Sequence, residues 1–207
     1  VIDFDHVSKI FPGARALDQV NFTVASGECH ALLGENGAGK STLGKILAGI
    51  YRPDGGQVRI DGRSVQFHSP RDAVRADLGL SLRRYAEAVS SRRRDMSESS
   101  RLVKVSDELL ASIDQDRRTI SIDQETLRRY VVEPYRLKLW FVEQRLRHTL
   151  AALPEAKSSE AAYPSATAFI ADLELIGDSL RANKGATLAD SGLLPELILQ
   201  AQTFGFR

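Results

Sequence analysis

Residues 34–42 combine residue types and a spacing that suit phosphate binding. They read Gly-Glu-Asn-Gly-Ala-Gly-Lys-Ser-Thr and fit the pattern G-x-x-x-x-G-K-[S/T]. The glycines let successive backbone N–H groups turn inward without a Cβ clash, and a following helix adds positive charge from its dipole. In this pattern Lys40 reaches the β- and γ-phosphates of a nucleotide, and the hydroxyl of Ser41 is a ligand of Mg²⁺.

The residues on either side predict the two elements that such a site needs. Residues 29–33 are a short apolar run of the kind that forms a buried strand. After the glycines, apolar residues recur at helical spacing at Leu43, Ile46, Leu47 and Ile50. The alternative is a glycine-rich loop that ends a strand and binds nothing, and the complete motif in this context argues against it.

Residues 1 to about 79 carry the alternation and the turn signals of a small sheet. Alternating polar and apolar side chains predict strands at residues 2–7, 16–24, 57–60 and 64–67. Turns are predicted at residues 11–13, 26–27 and 53–56, and Asp61-Gly62 is a strong hairpin signal. Ser69 and Pro70 predict a helix start, with Ser69 as the N-cap and Pro70 at the first helical position.

From about residue 80 the pattern changes to long helices, with little glycine and without strand signals. Helices are predicted to begin near Leu82, Ser106, Pro134, Ser165 and Leu193. Gly185 is placed to end the fourth of these helices. The apolar stripe of the third helix comprises Leu139, Val142, Leu146, Leu150 and Leu153, and that of the fourth comprises Phe169, Leu173, Ile176 and Leu180. The basic run Arg92-Arg93-Arg94 is interpreted as a solvated helix face and not as a binding patch.

The composition limits the classes of function. The 207 residues are 43% hydrophobic and 27% charged with a formal net charge of +1, which gives no argument for a nucleic-acid partner. A single cysteine excludes an internal disulfide, and with four scattered histidines it makes no metal-ligand cluster. Cys29 is expected to be a small buried hydrophobic residue and not a nucleophile. No apolar run reaches the ~18 residues of a membrane span and no signal-peptide pattern opens the chain, so a cytoplasmic protein is expected.

Further segments accompany the glycine-rich motif in order along the chain. They are Phe11-Pro12-Gly13, Ala16-Leu17-Asp18, residues 27–43, residues 53–56 and residues 67–73. In this combination residues 1 to about 79 resemble the start of an ABC-transporter ATPase, and most of all the ATPase subunits of bacterial sugar importers. The resemblance implies a P-loop NTPase fold, ATP and Mg²⁺ as ligands, and a transporter membrane subunit as a partner.

The same resemblance assigns roles to individual residues. It implies that Phe11 stacks on adenine, whereas the alternative is an ordinary turn or core aromatic. It implies that Ser41 holds Mg²⁺. The phosphate contacts would come from Asn36, Gly37, Ala38, Gly39, Lys40, Ser41 and Thr42.

ABC ATPases continue with elements that residues 80–207 lack. The family carries a glutamine that senses Mg²⁺ and the membrane partner, a signature similar to L-S-G-G-Q, an apolar run ending in Asp-Glu, and a switch histidine. Residues 80–207 contain no Gly-Gly pair, and the nearest counterpart of the Asp-Glu run, residues 139–143, is expected to be helical core. Since phosphoryl transfer needs a positioned water, a metal clamp and charge stabilisation from several elements, we expect binding without hydrolysis and without coupling to a membrane subunit.

The second half carries a different set of segments. They are residues 82–85, 96–99, 133–136, 172–176, 179–180, 189–194 and 204–206. In order and spacing they resemble an internal helical segment of bacterial phosphoenolpyruvate carboxylase. The resemblance implies part of a large α/β barrel with many helices, with the family's catalytic histidines, Mg²⁺ carboxylates and phosphate-binding arginines outside this segment. Arg136 and Arg181 are therefore interpreted as exposed helix arginines.

The predicted fold class is an α/β start of an ABC-type P-loop NTPase over residues 1–79, followed by an all-α helical segment over residues 80–207. The favoured function is an ATP-binding fragment of a sugar-import ABC ATPase fused to a non-catalytic phosphoenolpyruvate carboxylase segment, with no enzymatic activity expected. One alternative is a phosphoenolpyruvate carboxylase fragment, forming oxaloacetate in carbon fixation, with a foreign N-terminus. Another is a gene-fusion or assembly chimera without evolved function. Val1 in place of methionine predicts a fragment or an unusual start codon.

The expected partners follow from the same observations. They are a nucleotide and, by resemblance, a transporter membrane subunit, which would place the chain in the cytoplasm at the inner membrane. An ABC core places its loop strand between strands that come later in the chain, and such strand patterns are absent after residue 80. Because uncovered sheet edges and apolar faces favour association, we expect exposed hydrophobic surface, marginal stability and non-specific self-association.

Overall fold

The computed structural model describes residues 1–25, 28–96, 104–153, 159–191 and 193–206. The chain divides into two compact units, unit 1 (Val1–Ala76) and unit 2 (Asp77–Arg207). The predicted turn at residues 26–27, residues 97–99 of the second resemblance, and Gly192 lie outside the described residues. No helix within the described ranges is both long enough and apolar enough to cross a membrane.

Unit 1 is built on a small antiparallel sheet. Its strands are β1 (Ile2–Phe11), β2 (Ala14–Val24), β3 (Gly55–Ile60) and β4 (Arg63–Val65), in the order β2-β1-β3-β4. The helix α1 (Lys40–Leu47) supplies Leu43 and Ile46 to a common core with Phe4, Leu17 and Val58. These strands confirm the alternation and the Asp61-Gly62 hairpin read from the sequence.

The expected strand at residues 29–33 is not formed. Residues 28–35 are irregular and exposed, with Leu33 90% and Leu32 47% exposed, and Cys29 is exposed as well. A central strand needs neighbours on both sides. The four described strands of unit 1 pair with one another, and the regular elements in the described part of unit 2 are all helices. The predictions of a buried strand and of a buried Cys29 are therefore wrong, whereas that of exposed hydrophobic surface is confirmed.

One continuous helix, α2 (Pro70–Asp95), contains the boundary between the units. The Ser69 hydroxyl accepts a hydrogen bond from Asp72 N at 3.4 Å, as the predicted helix start requires. A separate helix beginning near Leu82 is wrong, because Gly79 inside a helix is tolerated. A Cβ at Gly79 would meet only ordinary contacts, 3.5 Å from Leu150 and 3.7 Å from Leu153.

The helices after α2 form the body of unit 2. They are α3 (Asp107–Thr119), α4 (Gln124–Tyr130), α5 (Pro134–Ala152), α6 (Ala166–Ala182), α7 (Ala186–Asp190) and α8 (Leu193–Phe204). The predicted cap Ser106 accepts from Leu109 N at 3.3 Å, and Ser165 accepts from Ala168 N at the same distance. The short helices α4 and α7 were not predicted.

The core of unit 2 combines the predicted stripes with a group of aromatic rings. Leu139, Val142 and Leu146 of α5 are buried, as are the predicted core residues of α6. The ring of Phe169 lies 5.4 Å from that of Tyr85 and 5.5 Å from that of Tyr163, centroid to centroid. Aromatic pairs at such distances add to the stability gained by burial alone.

Candidate functional site

Two glycines shape the phosphate-type loop at the start of α1. Gly37 has φ +88° and Gly39 has φ +81°, a left-handed conformation that favours glycine. Gly39 is the N-cap of α1, and a Cβ there would lie 2.3 Å from the carbonyl oxygen of Ala16 and 2.7 Å from Leu17 Cδ2. Glycine is therefore required at position 39 both for the backbone conformation and for the close approach of β2.

The loop presents backbone donors at the N-terminus of α1. The amide of Leu43 donates to the carbonyl of Gly39 at 2.9 Å. Lys40, Ser41 and Thr42 precede this first helical hydrogen bond, so their N–H groups have no carbonyl within the helix to bind. With the positive end of the helix dipole, this arrangement favours an anion at the loop.

The side chain of Lys40 folds back over the loop. Its Nζ donates to the carbonyl oxygens of Gly34 and Glu35, each at 2.7 Å. An ammonium group has three protons, so one donor of Lys40 remains for a ligand while two hold the loop in shape. The lysine of the motif thus places its charge at the loop and does not extend into solvent.

Phe11 lies at the end of β1, in a surface group of aromatic and basic side chains. Its ring meets that of Tyr51 edge-on, with centroids 5.3 Å apart. Lys9 Nζ lies 5.6 Å from the Phe11 centroid, and Lys45 Nζ lies 5.4 Å from that of Tyr51. Sequence reasoning did not identify Tyr51, for which no motif gave a signal. The contact between Phe11 and Tyr51 fits an aromatic residue that only packs at a turn as well as a ring that stacks on adenine. The role of Phe11 therefore stays a prediction.

The residues present fit a nucleotide with Mg²⁺ better than a metal alone. Ser41 is exposed in the first turn of α1, where its hydroxyl is accessible. Among the described residues, no group of three His, Cys, Asp or Glu side chains is placed to hold a metal ion. A cation at Ser41 would therefore be held largely by the phosphates that accompany it.

Unit 2 contains a buried cluster of charges that sequence reasoning missed. Lys138 on α5 is fully buried and its Nζ lies 2.7 Å from Asp116 Oδ2 and 2.8 Å from Asp172 Oδ1. Arg145 lies 3.2 Å from Asp172 and 4.1 Å from the ring centroid of Tyr163. The Tyr163 hydroxyl donates to Asp172 at 2.6 Å. This cluster joins α3, α5 and α6 to one another.

The cluster is satisfied from within, which marks it as structural. Burial raises the pKa of Asp116 although Lys138 opposes the change. Burial also raises the pKa of Tyr163, and the neighbouring Asp172 adds to this effect. Each charge has a partner of opposite sign, as buried charges need. The only signal in the sequence was a charged residue between two apolar ones, at position 138.

Two of the three arginines at residues 92–94 are not on a solvated face. Arg92 donates to the carbonyl of Leu188 at 2.9 Å, and Arg93 lies 3.1 Å from the buried carboxylate of Glu143. Only Arg94 is exposed as predicted. The interpretation failed for the other two because their guanidinium groups reach partners on later helices, Leu188 on α7 and Glu143 on α5.

The two later arginines also differ from each other. Arg136 is not exposed, because its guanidinium donates to the carbonyls of Arg94 and Met96 at the end of α2 and lies 2.9 Å from Glu133. Arg181 is 46% exposed and pairs with Asp178 and Asp190, as an exposed helix arginine does.

Comparison with known proteins separates the two halves of the chain. A sequence profile of the phosphoenolpyruvate carboxylase family matches residues 61–207, more than two thirds of the chain. This match begins at the β3–β4 turn, ahead of the expected boundary at residue 79, so that boundary stays a prediction.

The N-terminal residues match proteins of a different kind. The chain is 54% identical over 80 residues to the ribose import ATP-binding protein RbsA of Hahella chejuensis, covering 39% of this chain and 16% of that protein. It is 54% identical over 77 residues to an arabinose import ATP-binding protein of Burkholderia cenocepacia, covering 37% and 15%. An arabinose import ATP-binding protein of Ralstonia nicotianae is 53% identical over 79 residues, covering 38% and 16%. The chain thus spans about one sixth of the length of these relatives.

Both resemblances read from the sequence are confirmed. The first 80 or so residues are similar to sugar-import ABC ATP-binding proteins. Through residues 61–207, the chain belongs to the phosphoenolpyruvate carboxylase family.

Proposed function

We propose that the chain binds Mg-ATP through residues 36–42, on a P-loop that forms the start of an ABC-type nucleotide-binding fold. The observation that carries the proposal is the placement of Lys40, whose Nζ is held at the loop by two carbonyl oxygens 2.7 Å away. The left-handed glycines and the N-terminus of α1 surround it. The relatives are ATP-binding proteins of sugar import, which supports the same ligand.

Each residue of the proposed site has a separate task. The amides of the first turn of α1 would bind phosphate oxygens, and the third proton of Lys40 would pair with the β- and γ-phosphates. Mg²⁺ at Ser41 would neutralise part of the phosphate charge. The ring of Phe11 would stack on adenine, braced from the side by Tyr51.

The proposal is restricted to binding. Phosphoryl transfer to water needs a group that positions the water and groups that stabilise the developing charge. Residues 80–207 offer neither the Gly-Gly signature nor an apolar run ending in Asp-Glu. We therefore propose that bound ATP is not hydrolysed.

Replacing Lys40 by alanine is expected to weaken Mg-ATP binding about tenfold to a hundredfold. The variant loses a charge-assisted hydrogen bond to phosphate, which contributes about 1.5–3 kcal/mol, and also loses the contacts that shape the loop. Isothermal titration calorimetry on the full chain measures this difference. Lys45→Ala is the matched control, because it removes the same charge from an exposed position of the same helix.

Two results would contradict the nucleotide proposal. One is equal binding of Mg-ATP by the wild-type chain and the Lys40→Ala variant. The other is a loss in Lys45→Ala as large as that in Lys40→Ala, which would indicate a general charge effect. ADP release measured over hours on the wild-type chain tests the absence of hydrolysis separately.

Family membership raises carboxylation as a second candidate function. We propose that residues 80–207 are a non-catalytic helical part of the carboxylase fold, because their buried charges are paired with one another. An assay coupled to oxaloacetate is expected to stay at background with phosphoenolpyruvate, bicarbonate and Mg²⁺. A bicarbonate-dependent signal that survives repurification of the chain would overturn this assignment.

The origin and location of the chain are also matters for proposal. We propose that it joins the start of a transporter ATPase to a carboxylase segment and that it is located in the cytoplasm. Its N-terminal part would derive from a protein that binds a transporter membrane subunit, but the elements that couple ATP hydrolysis to that subunit are absent from residues 80–207. Long sequencing reads across the codons for residues 70–90 test the junction. Reads that lack it would show the joined chain to be an assembly product without evolved function.

A further inference from the structure

Unit 1 has a second concavity, between the C-terminal end of α1 and the β3–β4 hairpin. Its volume is about 340 Å³. Ile46 and Val58, each 3% exposed, form the floor with Val65. The rings of Tyr51 and Phe67 also line it. The lining is therefore mixed, because these apolar and aromatic side chains lie beside the polar side chains of Gln57 and Gln66. Small-molecule pockets usually combine apolar side chains with a few polar groups.

Backbone contacts fix the walls of this cavity. Gly49 has φ +71°, and a Cβ there would lie 2.5 Å from Ser69 O and 3.0 Å from Phe67 Cβ. The chain that carries Phe67 therefore passes directly against the end of α1. On the opposite side Gly56 has φ +72°, and a Cβ there would lie 2.1 Å from His6 O. Both contacts exclude a side chain, so glycine is needed at each position for the backbone to approach this closely.

The charge at the cavity is positive. Arg52 is the one basic residue among those that line it, and its guanidinium donates to His68 Nδ1, which holds it at the rim. Asp54 also lines the cavity, but its carboxylate accepts from Ile10 N at 2.7 Å and from Lys9 Nζ at 2.9 Å. These hydrogen bonds lower the pKa of Asp54, so its carboxylate stays ionised and its charge is balanced by the ammonium group of Lys9. The guanidinium of Arg52 keeps further donors for a ligand.

We propose that this cavity binds a small aromatic carboxylate. The flat ring of such a ligand would lie on the apolar floor beside Tyr51 and Phe67, where offset or edge-on packing is favourable. Its carboxylate would pair with Arg52, whose planar fork matches two carboxylate oxygens. The site uses no residue of the phosphate loop, although it shares Tyr51 with the proposed adenine platform, since the ring of Tyr51 also contacts Phe11.

Equilibrium dialysis of 2-naphthoate against the full chain tests the proposal, with the naphthoate fluorescence as the readout. We expect a dissociation constant of about 1 mM, as the size of the ligand allows. Arg52→Gln is expected to weaken binding about tenfold, because it removes a charge-assisted pair. Arg63→Gln, on the β3–β4 hairpin but outside the cavity lining, is expected to bind as the wild type does.

Several outcomes would overturn the cavity proposal. They are unchanged binding by Arg52→Gln, equal binding of the uncharged 2-naphthamide, and an equal loss in Arg63→Gln. If Arg52→Gln fails to fold by circular dichroism, Arg52→Lys keeps the charge and should retain part of the affinity. Val65→Phe, which fills the floor, should then reduce binding, and unchanged binding by it would also refute the site.

Discussion

Replacing Lys138 by alanine is expected to lower the free energy of unfolding of unit 2 by about 3–5 kcal/mol. The ammonium group is fully buried between Asp116 and Asp172. Its removal leaves two carboxylates in the core with only Arg145 to balance them. Trp140 is the single tryptophan of the chain and lies on the same helix, so urea unfolding followed by tryptophan fluorescence reports on this unit.

A control and a pH series separate charge from packing in this experiment. Lys184→Ala, at an exposed position of the same unit, should change stability by less than about 0.5 kcal/mol. Burial holds the pKa of Asp116 above its value of 3.8 in the unfolded chain. The folded state then binds more protons than the unfolded state, so stability rises as the pH falls toward 4. Because Lys138 lowers the pKa of Asp116, removing it raises that pKa further, so the variant gains more stability on acidification than the wild type does. The loss in Lys138→Ala should therefore shrink as the pH falls, and an equal loss at pH 7 and pH 5 would refute the role of charge.

The starts of α3 and α6 could be predicted because their signals are local, whereas Gly185, predicted to end α6, is instead the N-cap of α7. The hydroxyls of Ser106 and Ser165 each bind an amide three residues further on, within one helical turn. Lys138, Asp116 and Asp172 lie on three different helices, and their pairing depends on how those helices pack. From sequence each is one more charged residue in an amphipathic pattern, so the cluster could not be predicted.

The sheet of unit 1 shows the same division between local and distant contacts. Each hairpin closes over a few residues, where Phe11 pairs with Ala14 and Ile60 pairs with Arg63. The alternation of polar and apolar residues and the turn signals between them predicted both hairpins. A strand at residues 29–33 depends on neighbours that come from elsewhere in a fold. Apolar composition predicted that strand, but its formation requires partners that the four paired strands do not provide.

The sequence predicted which residues form the candidate site, but it did not predict most of the contacts between them. The motif gave the glycines, Lys40 and Ser41 from spacing alone, and the left-handed conformations of Gly37 and Gly39 agree with the expected turning of the loop. Spacing does not specify where side chains lie. It therefore did not predict the hydrogen bonds of Lys40 to two loop carbonyls or the contact of Tyr51 with Phe11. The close approach of Ala16 to Gly39 is likewise a contact that spacing does not specify, and it makes position 39 intolerant of any side chain.

Replacing Gly39 by alanine is expected to destabilise unit 1 by about 2–5 kcal/mol and to abolish measurable Mg-ATP binding. A left-handed conformation costs a residue with a Cβ about 1–2 kcal/mol. The added methyl group would lie 2.3 Å from Ala16 O, an overlap that costs about a further 1–3 kcal/mol or moves the start of α1. Hydrogen exchange of the peptides that cover residues 1–60 measures the local stability, since unit 2 contains the single tryptophan.

Gly37→Ala is the matched control for this substitution. Gly37 has nearly the same backbone conformation, with φ +88°, but a Cβ there meets no atom within 4 Å. Gly37→Ala should therefore lower the stability of unit 1 only by the cost of the left-handed conformation, about 1–2 kcal/mol. It should still bind Mg-ATP, with reduced affinity. The difference between the two variants isolates the contact between Gly39 and β2. Equal losses in stability would mean that Ala16 does not approach Gly39 closely in solution. The contact with β2 would then not be the reason why the loop requires glycine at position 39.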